Sequence, residues 1–386
     1  MAIYFDNAAT SYPKPPGVLR AMEEALALYG GNPGHGGHQM AMRAAGKLYG
    51  VREAAARFFG AEPENLIFTP GCTYALNQAI RGAMAGGGRV LVSMYDHNAS
   101  LRPAAALERE GRCQVGYFPV YEGEPGRTVQ GLRQRWTADT KAVVCTHASN
   151  VTGYILPVQA IGELAHRYGA LFILDAAQTA GVIPADLGST GADILCAAGH
   201  KGLLGPMGTG VMALREGVKL NPLTQGGTGV YSLDMAMPEE GPERYEAGTV
   251  NFPGIFALGA GIREVERRGI SRIYRREAAL AQAFSDGLRR IPGVRVAGRG
   301  FRAGEYVPVV SFTAEDQDAS EFAEVLSAKG FMLRGGYHCA GKIHRLLGTE
   351  KTGTVRFSCG AGNTPGQVGR LLEAVRQAGK KIGQTG

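Results

Sequence analysis

Short apolar runs rich in β-branched residues alternate with longer segments of helical period, and no other feature of the sequence constrains the fold as strongly. The predicted strands span residues 66–69, 89–93, 114–120, 142–146, 171–174, 194–197 and 211–214. The predicted helices include residues 40–59, 73–84, 99–110 and 158–168. Strands that alternate with helices need crossover connections, so the pattern favours a largely parallel sheet with helices on both faces.

The alternation changes after residue 256. A long helical stretch at 258–290, interrupted near Gly269, precedes predicted strands at 294–296 and 307–312. A helix at 320–329, strands near 331–333 and 354–358, and a helix at 365–377 follow. We therefore expect an α/β protein with a large domain at 15–256 and a smaller α+β domain made from 1–14 and 257–386.

Charge and cysteine content argue against several classes of protein. The 386 residues carry a formal net charge of +7, but acidic and basic residues are interleaved, as at 263–268. Interleaved charges are typical of solvated helices. The sequence has neither the Cys/His spacing of a zinc finger nor a basic stripe that would indicate nucleic-acid binding. No apolar run is long enough for a membrane span, and no signal peptide is evident. The six cysteines include no CxxC pair, so we expect free thiols in a reducing cytoplasm and no metal site.

Asp175 directly follows the apolar run 171–174. A carboxylate at the end of a buried strand is costly unless it pairs with a cation, and a pyridinium nitrogen is such a cation. A helix N-cap aspartate is the alternative interpretation, and at this point both stay open.

Lys201 follows the predicted strand 194–197 and precedes a glycine-rich loop at 202–210. A desolvated lysine can form a Schiff base. A surface lysine in a turn is the alternative, although dense glycine favours close approach of the backbone to a flat ligand.

Segment 69–73 joins a predicted strand to a predicted helix, with Cys72 and Thr73 at the helix start. Backbone N–H groups at a helix start, helped by a hydroxyl, form an anion site that suits a phosphate. An ordinary threonine N-cap is the alternative.

Segment 334–341 is a glycine-rich loop with one cysteine, Cys339. His338 precedes this cysteine, and Arg334 and Lys342 are close to it in sequence. Nearby cations favour a thiolate, and a core cysteine is unusual in so polar a stretch, so the loop indicates a reactive thiol.

In this order the motifs resemble the class V aminotransferase family, and within it the cysteine desulfurase and selenocysteine lyase branch. The resemblance extends over essentially the whole chain. It is carried by DNAAT at 6–10, GNP at 31–33, DHNA at 96–99, SNVTG at 149–153, DAAQ at 175–178, GHK at 199–201, EAGT at 246–249, the loop 334–340 and VRFS at 355–358.

The resemblance implies a fold type I transferase, similar to aspartate aminotransferase, that depends on pyridoxal phosphate (PLP). Lys201 would hold the cofactor and move the substrate Cα proton, Asp175 would pair with the pyridinium nitrogen, and His97 would stack on the ring. The remaining cofactor contacts would be Gln178 and Asn150 at the ring hydroxyl, Cys72, Thr73 and His200 at the phosphate, and Thr249 of the partner subunit in a homodimer.

The resemblance also implies the substrate contacts. Arg356 would clamp the substrate carboxylate, with Asn150 and Arg334 beside it, and Cys339 would receive the sulfur. Only 17 positions separate Cys339 from Arg356. This spacing resembles the group II branch, whose short loop would keep the thiol near the cofactor and shield a persulfide.

Three positions depart from the pattern of the relatives. Ala198 stands where many relatives have serine, so one phosphate hydrogen bond would be absent. Cys72 stands where many have threonine, and His35 stands where group II relatives often have arginine. These departures bear on cofactor affinity and substrate choice.

The implied reaction converts L-cysteine to L-alanine and leaves a persulfide on Cys339, which a small thiol or an iron–sulfur scaffold-type protein would collect. A selenocysteine lyase would use the same residues, whereas a cystine or cysteine C–S lyase would release pyruvate and ammonia. A transaminase or epimerase would not need Cys339. A non-catalytic scaffold is the alternative outside enzymology.

Overall fold

The computed structural model of the chain describes residues 2–34, 37–315 and 317–382. In this part of the chain the strands are β1 (Ile3–Tyr4), β2 (Leu66–Thr69), β3 (Arg89–Ser93), β4 (Gln114–Phe118), β5 (Thr140–Thr146), β6 (Leu171–Asp175), β7 (Ile194–Ala198), β8 (Gly210–Leu214), β9 (Val294–Val296), β10 (Val309–Ala314), β11 (Phe331–Met332) and β12 (Val355–Ser358). The helices are α1 (Pro16–Leu28), α2 (Gln39–Phe59), α3 (Cys72–Ala83), α4 (Asn98–Arg109), α5 (Pro125–Arg133), α6 (Val158–Arg167), α7 (Leu187–Thr190), α8 (Phe252–Arg268), α9 (Ile270–Leu288), α10 (Ala319–Ala328), α11 (Gly341–Leu347) and α12 (Pro365–Ile382).

The largest sheet has seven strands in the order β2-β8-β7-β6-β5-β3-β4. Strands β4, β3, β5, β6 and β7 run parallel, whereas β8 pairs antiparallel with both β7 and β2. Every residue of β7 and β8 is buried, as expected of strands covered on both faces. The predicted, mainly parallel α/β fold is therefore confirmed.

The carboxyl ends of β5, β6 and β7 meet at one edge of this sheet. Thr146 at the end of β5 pairs with Asp175 at the end of β6, and Asp175 pairs with Cys196 of β7. Side chains that follow these strands therefore converge at this edge, which is where open α/β sheets bind ligands.

The C-terminal part of the chain forms a smaller α+β unit. Its three-stranded antiparallel sheet has the order β12-β10-β9; helices α9 and α10 pack against this sheet, and α12 packs against both helices. Strand β1 pairs in parallel with β11, so the N-terminal strand lies beside this unit. The domain boundaries themselves, 15–256 against 1–14 with 257–386, stay a prediction.

Most predicted elements are present with ends that differ by a few residues. The strand expected at 307–312 is β10 (Val309–Ala314), and the helix expected at 365–377 continues to Ile382. Gly269, with φ +78°, separates α8 from α9 and explains the predicted interruption. Sequence reasoning missed α1 and α5, because each opens with a Pro-Gly pair that is typical of a turn, although proline also suits the first turn of a helix.

Among the described residues, no helix combines the length and the apolar composition that crossing a membrane would need.

A buried ion pair fixes the segment that follows β8 against the large sheet. The two terminal nitrogens of Arg52 lie 2.7 and 2.8 Å from the carboxylate oxygens of Glu246, and both side chains are less than a tenth exposed. Arg52 also donates to the Leu66 carbonyl, and Glu246 accepts from the Phe68 N–H, each at 2.6 Å. The pair therefore joins α2, β2 and residues 246–249.

Replacing Glu246 with alanine would leave the Arg52 guanidinium buried without its counter-charge. We expect E246A to lose about 3–5 kcal/mol of unfolding free energy, measured by denaturant titration. The matched control is E124A, because the side chains of Glu124 and Arg127 are more than half exposed and such a pair contributes less than about 1 kcal/mol. Equal losses in the two variants would contradict this role of the buried pair.

Candidate active site

A cavity of about 810 Å³ opens at the carboxyl edge of the seven-stranded sheet. Its walls come from the ends of β5, β6 and β7 and from the first turns of α3 and α4. Eight of the twelve site residues predicted from the sequence line it, namely Cys72, Thr73, His97, Asn150, Asp175, Gln178, His200 and Lys201. The other four, Arg334, Cys339, Arg356 and Thr249, do not line this cavity.

Asp175 is buried at the end of β6, and hydrogen bonds from the described residues reach only one of its two carboxylate oxygens. Its Oδ1 accepts from the Ala177 N–H at 2.9 Å and from the Cys72 thiol at 3.4 Å. Its Oδ2 accepts no hydrogen bond from a described residue. No helix begins after β6 until α7, so the N-cap interpretation of Asp175 is wrong. The free oxygen suits a cationic donor in the cavity.

Lys201 follows β7 and lines the same cavity. Burial of its ammonium lowers the pKa of Lys201; Asp175 opposes this shift, and the Arg356 and Arg334 guanidinium groups add to it. A lowered pKa makes the amine a better base and nucleophile. A Cβ at Gly199 would clash with the Thr209 hydroxyl, so the turn before Lys201 requires glycine. The surface-turn interpretation of Lys201 is therefore wrong.

Helix α3 points its first turn at the cavity. The helix begins at Cys72, and its N-cap, Gly71, supplies no side-chain cap, so Thr73 lies inside the first turn and is not the N-cap. The first N–H groups of a helix have no intrahelical partner and attract an anion. Nδ1 of His200, a ring that also lines the cavity, is buried with no partner among the described residues. Burial lowers the pKa of His200 to about 4, so the ring is neutral and can donate one hydrogen bond.

Cys72 faces Asp175 with its side chain, which the sequence did not lead us to expect. Burial, and then the charge of Asp175, raise the pKa of the Cys72 thiol well above its ordinary value. The group is therefore a protonated hydrogen-bond donor. Its predicted contact with a phosphate would fall to the backbone N–H of the same residue.

His97 is the N-cap of α4 and lines the cavity. Its Nδ1 accepts from the Ala99 N–H at 3.0 Å, which leaves the proton on Nε2. Burial lowers the pKa of His97 to about 4; Asp175 opposes this shift, and Lys201 adds to it.

Asp96 directly precedes His97, and sequence reasoning gave it no role. It is fully buried, and its Oδ2 accepts from the Thr146 N–H at 3.0 Å and from the Ser93 hydroxyl. Burial raises the pKa of Asp96 to about 7. An acid three residues after the end of β3 was the available signal, which is weaker than the one for Asp175. Asn77, Tyr74 and Thr146 also line the cavity and were missed, since nothing in their local sequence marks them.

Asn150 and Gln178 are fixed through their amide nitrogens. Asn150 Nδ2 donates to the His338 carbonyl at 2.7 Å, and Gln178 Nε2 donates to the Ala8 carbonyl at 3.1 Å. Their side-chain oxygens are left to accept from a ligand in the cavity.

Arg356 lies on β12 and is almost completely buried. Its terminal nitrogens donate to the Asn150 carbonyl at 3.0 Å and to Asp6 Oδ1 at 2.9 Å. Its Nε has no partner among the described residues. Arg334 pairs with Arg356 through the backbone, so the two guanidinium groups come from adjacent chain segments. Together they supply permanent positive charge near Lys201.

Cys339 is exposed, whereas four of the other cysteines are buried and Cys113 is half-buried. Arg334 Nη2 lies 3.7 Å from the Cys339 sulfur, while the Lys342 ammonium instead lies over the Tyr117 ring. The predicted cation beside the thiol is therefore Arg334.

The backbone of the Cys339 loop is anchored to the cavity wall. The Asn98 N–H donates to the Cys339 carbonyl at 2.7 Å, directly beside His97. His338 and Cys339 have φ values of +49° and +56°, a conformation that non-glycine residues rarely adopt and that is often found at functional sites. The thiol is thus presented from a fixed, strained turn.

Thr249 is exposed and lies away from the cavity of its own chain. Its contact with the phosphate in a homodimer stays a prediction. Ala198 is buried at the end of β7 and lines the cavity, and the effect of its missing hydroxyl on a phosphate stays a prediction. His35 lies outside the described residues.

The donor set of the cavity fits PLP. Asp175 Oδ2 is free for a protonated ring nitrogen, and Lys201 offers an amine of lowered pKa for an aldehyde. The first turn of α3 and the unpartnered His200 Nδ1 offer donors for a phosphate.

We expect the His97 ring to stay neutral, with its proton on Nε2, down to about pH 5, because its pKa is about 4. Nitrogen NMR of the histidine-labelled protein measures both properties, and the H97Q spectrum identifies the signal. A His97 ring that titrates near its ordinary pKa of 6.5 would contradict this geometry.

Comparison with known proteins agrees with the geometry of the site. Residues 3–371 match the family model described as aminotransferase class-V. A curated relative from Methanothermobacter thermautotrophicus, named "Probable cysteine desulfurase", is 33% identical over 97% of this chain and 94% of its own length. The apo structure of a cysteine desulfurase from Thermococcus onnurineus is 32% identical, with a TM-score of 0.90 over 98% of this chain and 95% of that one. The cysteine desulfurase CsdA from Escherichia coli is 27% identical, with a TM-score of 0.87 over 98% of this chain and 94% of that one. The chain therefore belongs to the class-V aminotransferase family and depends on pyridoxal phosphate.

Proposed function

We propose that this enzyme is a cysteine desulfurase, which converts L-cysteine to L-alanine and carries the sulfur as a persulfide on Cys339. The observation that carries the proposal is the exposed Cys339 thiol, beside Arg334 and anchored through its carbonyl to the first turn of α4. A transaminase or an epimerase has no use for a thiol presented in this way. The relatives named cysteine desulfurase, similar over nearly their whole length, support the same activity.

The cofactor site is proposed residue by residue. Lys201 and Asp175 hold the reactive part of PLP, with His97 on the ring face and Gln178 and Asn150 at the ring hydroxyl. The phosphate is held by Cys72, Thr73 and His200, with Thr249 of the partner subunit in a homodimer. When bound, PLP supplies the electron sink that makes the substrate Cα proton removable.

The positive charges near Lys201 bind and orient the substrate. Arg356 binds the carboxylate of L-cysteine, because a guanidinium with an unpartnered Nε matches a carboxylate, and Arg334 and Asn150 lie beside it. The Lys201 amine, whose pKa is lowered by burial, takes the proton from the substrate Cα. Neutral His97, with its proton on Nε2, holds or returns a proton next to the substrate Cα.

The sulfur step uses the Cys339 thiolate as a nucleophile. Its sulfur forms an S–S bond with the substrate sulfur while the substrate C–S bond breaks, and the electron pair of that bond stays on the substrate carbon. Protonation of this carbon gives the methyl group of alanine. The persulfide then passes its outer sulfur to an acceptor, either a small thiol or a protein such as an iron–sulfur scaffold. Reducing surroundings, as in the cytoplasm, keep Cys339 free for the next cycle.

The first prediction for this reaction concerns its product. Incubation of the PLP-loaded protein with L-cysteine should yield alanine, detected by mass. Replacing Cys339 with alanine should lower the rate by on the order of 10³-fold or more, as expected when a nucleophile is lost. The cofactor absorption spectrum should not change, because Cys339 does not line the cofactor cavity.

The matched control for this measurement is C113A, which removes a half-buried thiol that follows the C-terminal end of α4, whereas the loop contacts the first turn of this helix. Parallel incubations with L-selenocysteine and L-cystine separate the neighbouring activities. Pyruvate in place of alanine would identify a C–S lyase, and undiminished desulfuration by C339A would remove Cys339 from the mechanism. A protein that stays colourless with added PLP would indicate a non-catalytic scaffold.

A second prediction concerns the accessibility of the thiols. Brief treatment of the native protein with iodoacetamide should modify Cys339 first and Cys113 more slowly, because only these two side chains are not buried. Cys72, Cys145, Cys196 and Cys359 should react after denaturation alone. Peptide mass mapping measures the order, and early modification of a buried cysteine would contradict it.

A further inference from the structure

A second cavity adjoins the cofactor cavity. It has a volume of about 290 Å³, and Lys201 and Gln178 border both cavities. Away from Lys201 it is enclosed by the N-terminal segment 7–16, by α9 and by residues 358–362. None of the proposed steps uses this space.

Glu277 projects into this second cavity from α9. The residue is only 8% exposed, and its carboxylate makes no hydrogen bond or ion pair with a described residue. A buried carboxylate is costly unless it is paired with a cation. The described residues do not supply this partner, so a bound ligand could. Burial raises the pKa of Glu277 to about 8, and the charges of Arg276 and Arg268 oppose this shift, so the group is largely protonated at neutral pH until a cation binds beside it.

Lys14 lines the same cavity and is the complementary group. Its ammonium donates to the Ser11 hydroxyl at 2.8 Å and to the His200 carbonyl at 2.7 Å, and both acceptors are neutral. A lysine ammonium has three donors, so one remains. Burial lowers the pKa of Lys14 to about 8. Two further cations line the wall: Arg268 is already paired with Glu264 at 2.7 Å, and Lys201 is assigned to the cofactor cavity.

The remaining walls are mainly apolar, with Val182, Leu204 and Ile273 among them. The volume equals roughly ten water molecules at about 30 Å³ each, which is enough for a free amino acid of medium size. A concave, mostly apolar cavity with a few converging polar groups is typical of a small-molecule site.

We propose that this cavity is a second amino-acid site, which binds a free α-amino acid with an apolar side chain. The ligand ammonium pairs with Glu277, the carboxylate accepts from Lys14, and the side chain lies against the apolar wall. A simple carboxylic acid would leave Glu277 without a partner, and a simple amine would leave Lys14 without one. The site goes beyond the proposed desulfuration and does not depend on it.

The experiment measures binding of L-leucine to the PLP-loaded protein by calorimetry, with the cofactor absorption spectrum recorded in parallel. Binding in the second cavity leaves the spectrum unchanged, whereas reaction in the cofactor cavity alters it. We expect E277Q to weaken the spectrally silent binding by about tenfold or more, because a charge-assisted hydrogen bond is lost. The matched control, E266Q, changes an exposed carboxylate on α8 and should bind L-leucine as the natural protein does.

Two analogues test recognition of the zwitterion. 4-Methylpentanoate lacks the ammonium and isopentylamine lacks the carboxylate, so each should bind at least about tenfold more weakly than L-leucine. Equal binding of either analogue, or unchanged binding by folded E277Q, overturns the proposal. If E277Q does not fold, crystals of the natural protein soaked in L-leucine decide the question. Density in the second cavity supports the site, and density confined to the cofactor cavity overturns it.

Discussion

The site depends on the placement of Asp175 opposite Lys201 at the carboxyl edge of a buried parallel sheet. A carboxylate at the end of a fully buried strand needs hydrogen bonds and a cationic partner. The Ala177 N–H and the Cys72 thiol occupy one oxygen, so the other is free for the cationic ring nitrogen that we propose it binds. Burial of the Lys201 amine lowers its pKa, which prepares it for proton transfer.

The loop that we propose accepts the sulfur comes from the other end of the chain and is joined to the cavity wall by three contacts. The Asn98 N–H holds the Cys339 carbonyl, Asn150 Nδ2 holds the His338 carbonyl, and the Asn150 carbonyl accepts from Arg356. A short loop that is fixed at its backbone brings an exposed sulfur near the cofactor without a long mobile segment. The positive φ values of the loop show that this placement carries a conformational cost, which the three contacts offset.

The sequence predicts the local features well and the long-range ones poorly. Asp175 and Lys201 follow apolar runs that are strands, so their positions could be read from periodicity alone. The roles of Thr249, Arg356 and the other contacts came from the family resemblance. The turn of the Cys72 thiol toward Asp175 depends on how α3 packs on the sheet. The second cavity could not be predicted, since Lys14 and Glu277 are over 260 positions apart and lie in segments without a motif.

In the mechanism that we propose, the substrate sulfur passes to Cys339 beside a cofactor held at Lys201. The most direct test is peptide mass analysis of the PLP-loaded protein, quenched during turnover with L-cysteine in the absence of an acceptor. We expect the Cys339 peptide to gain the mass of one sulfur atom and to lose it when a thiol is added. Alanine formation with no added sulfur at this position, or with the sulfur on another cysteine, would contradict it.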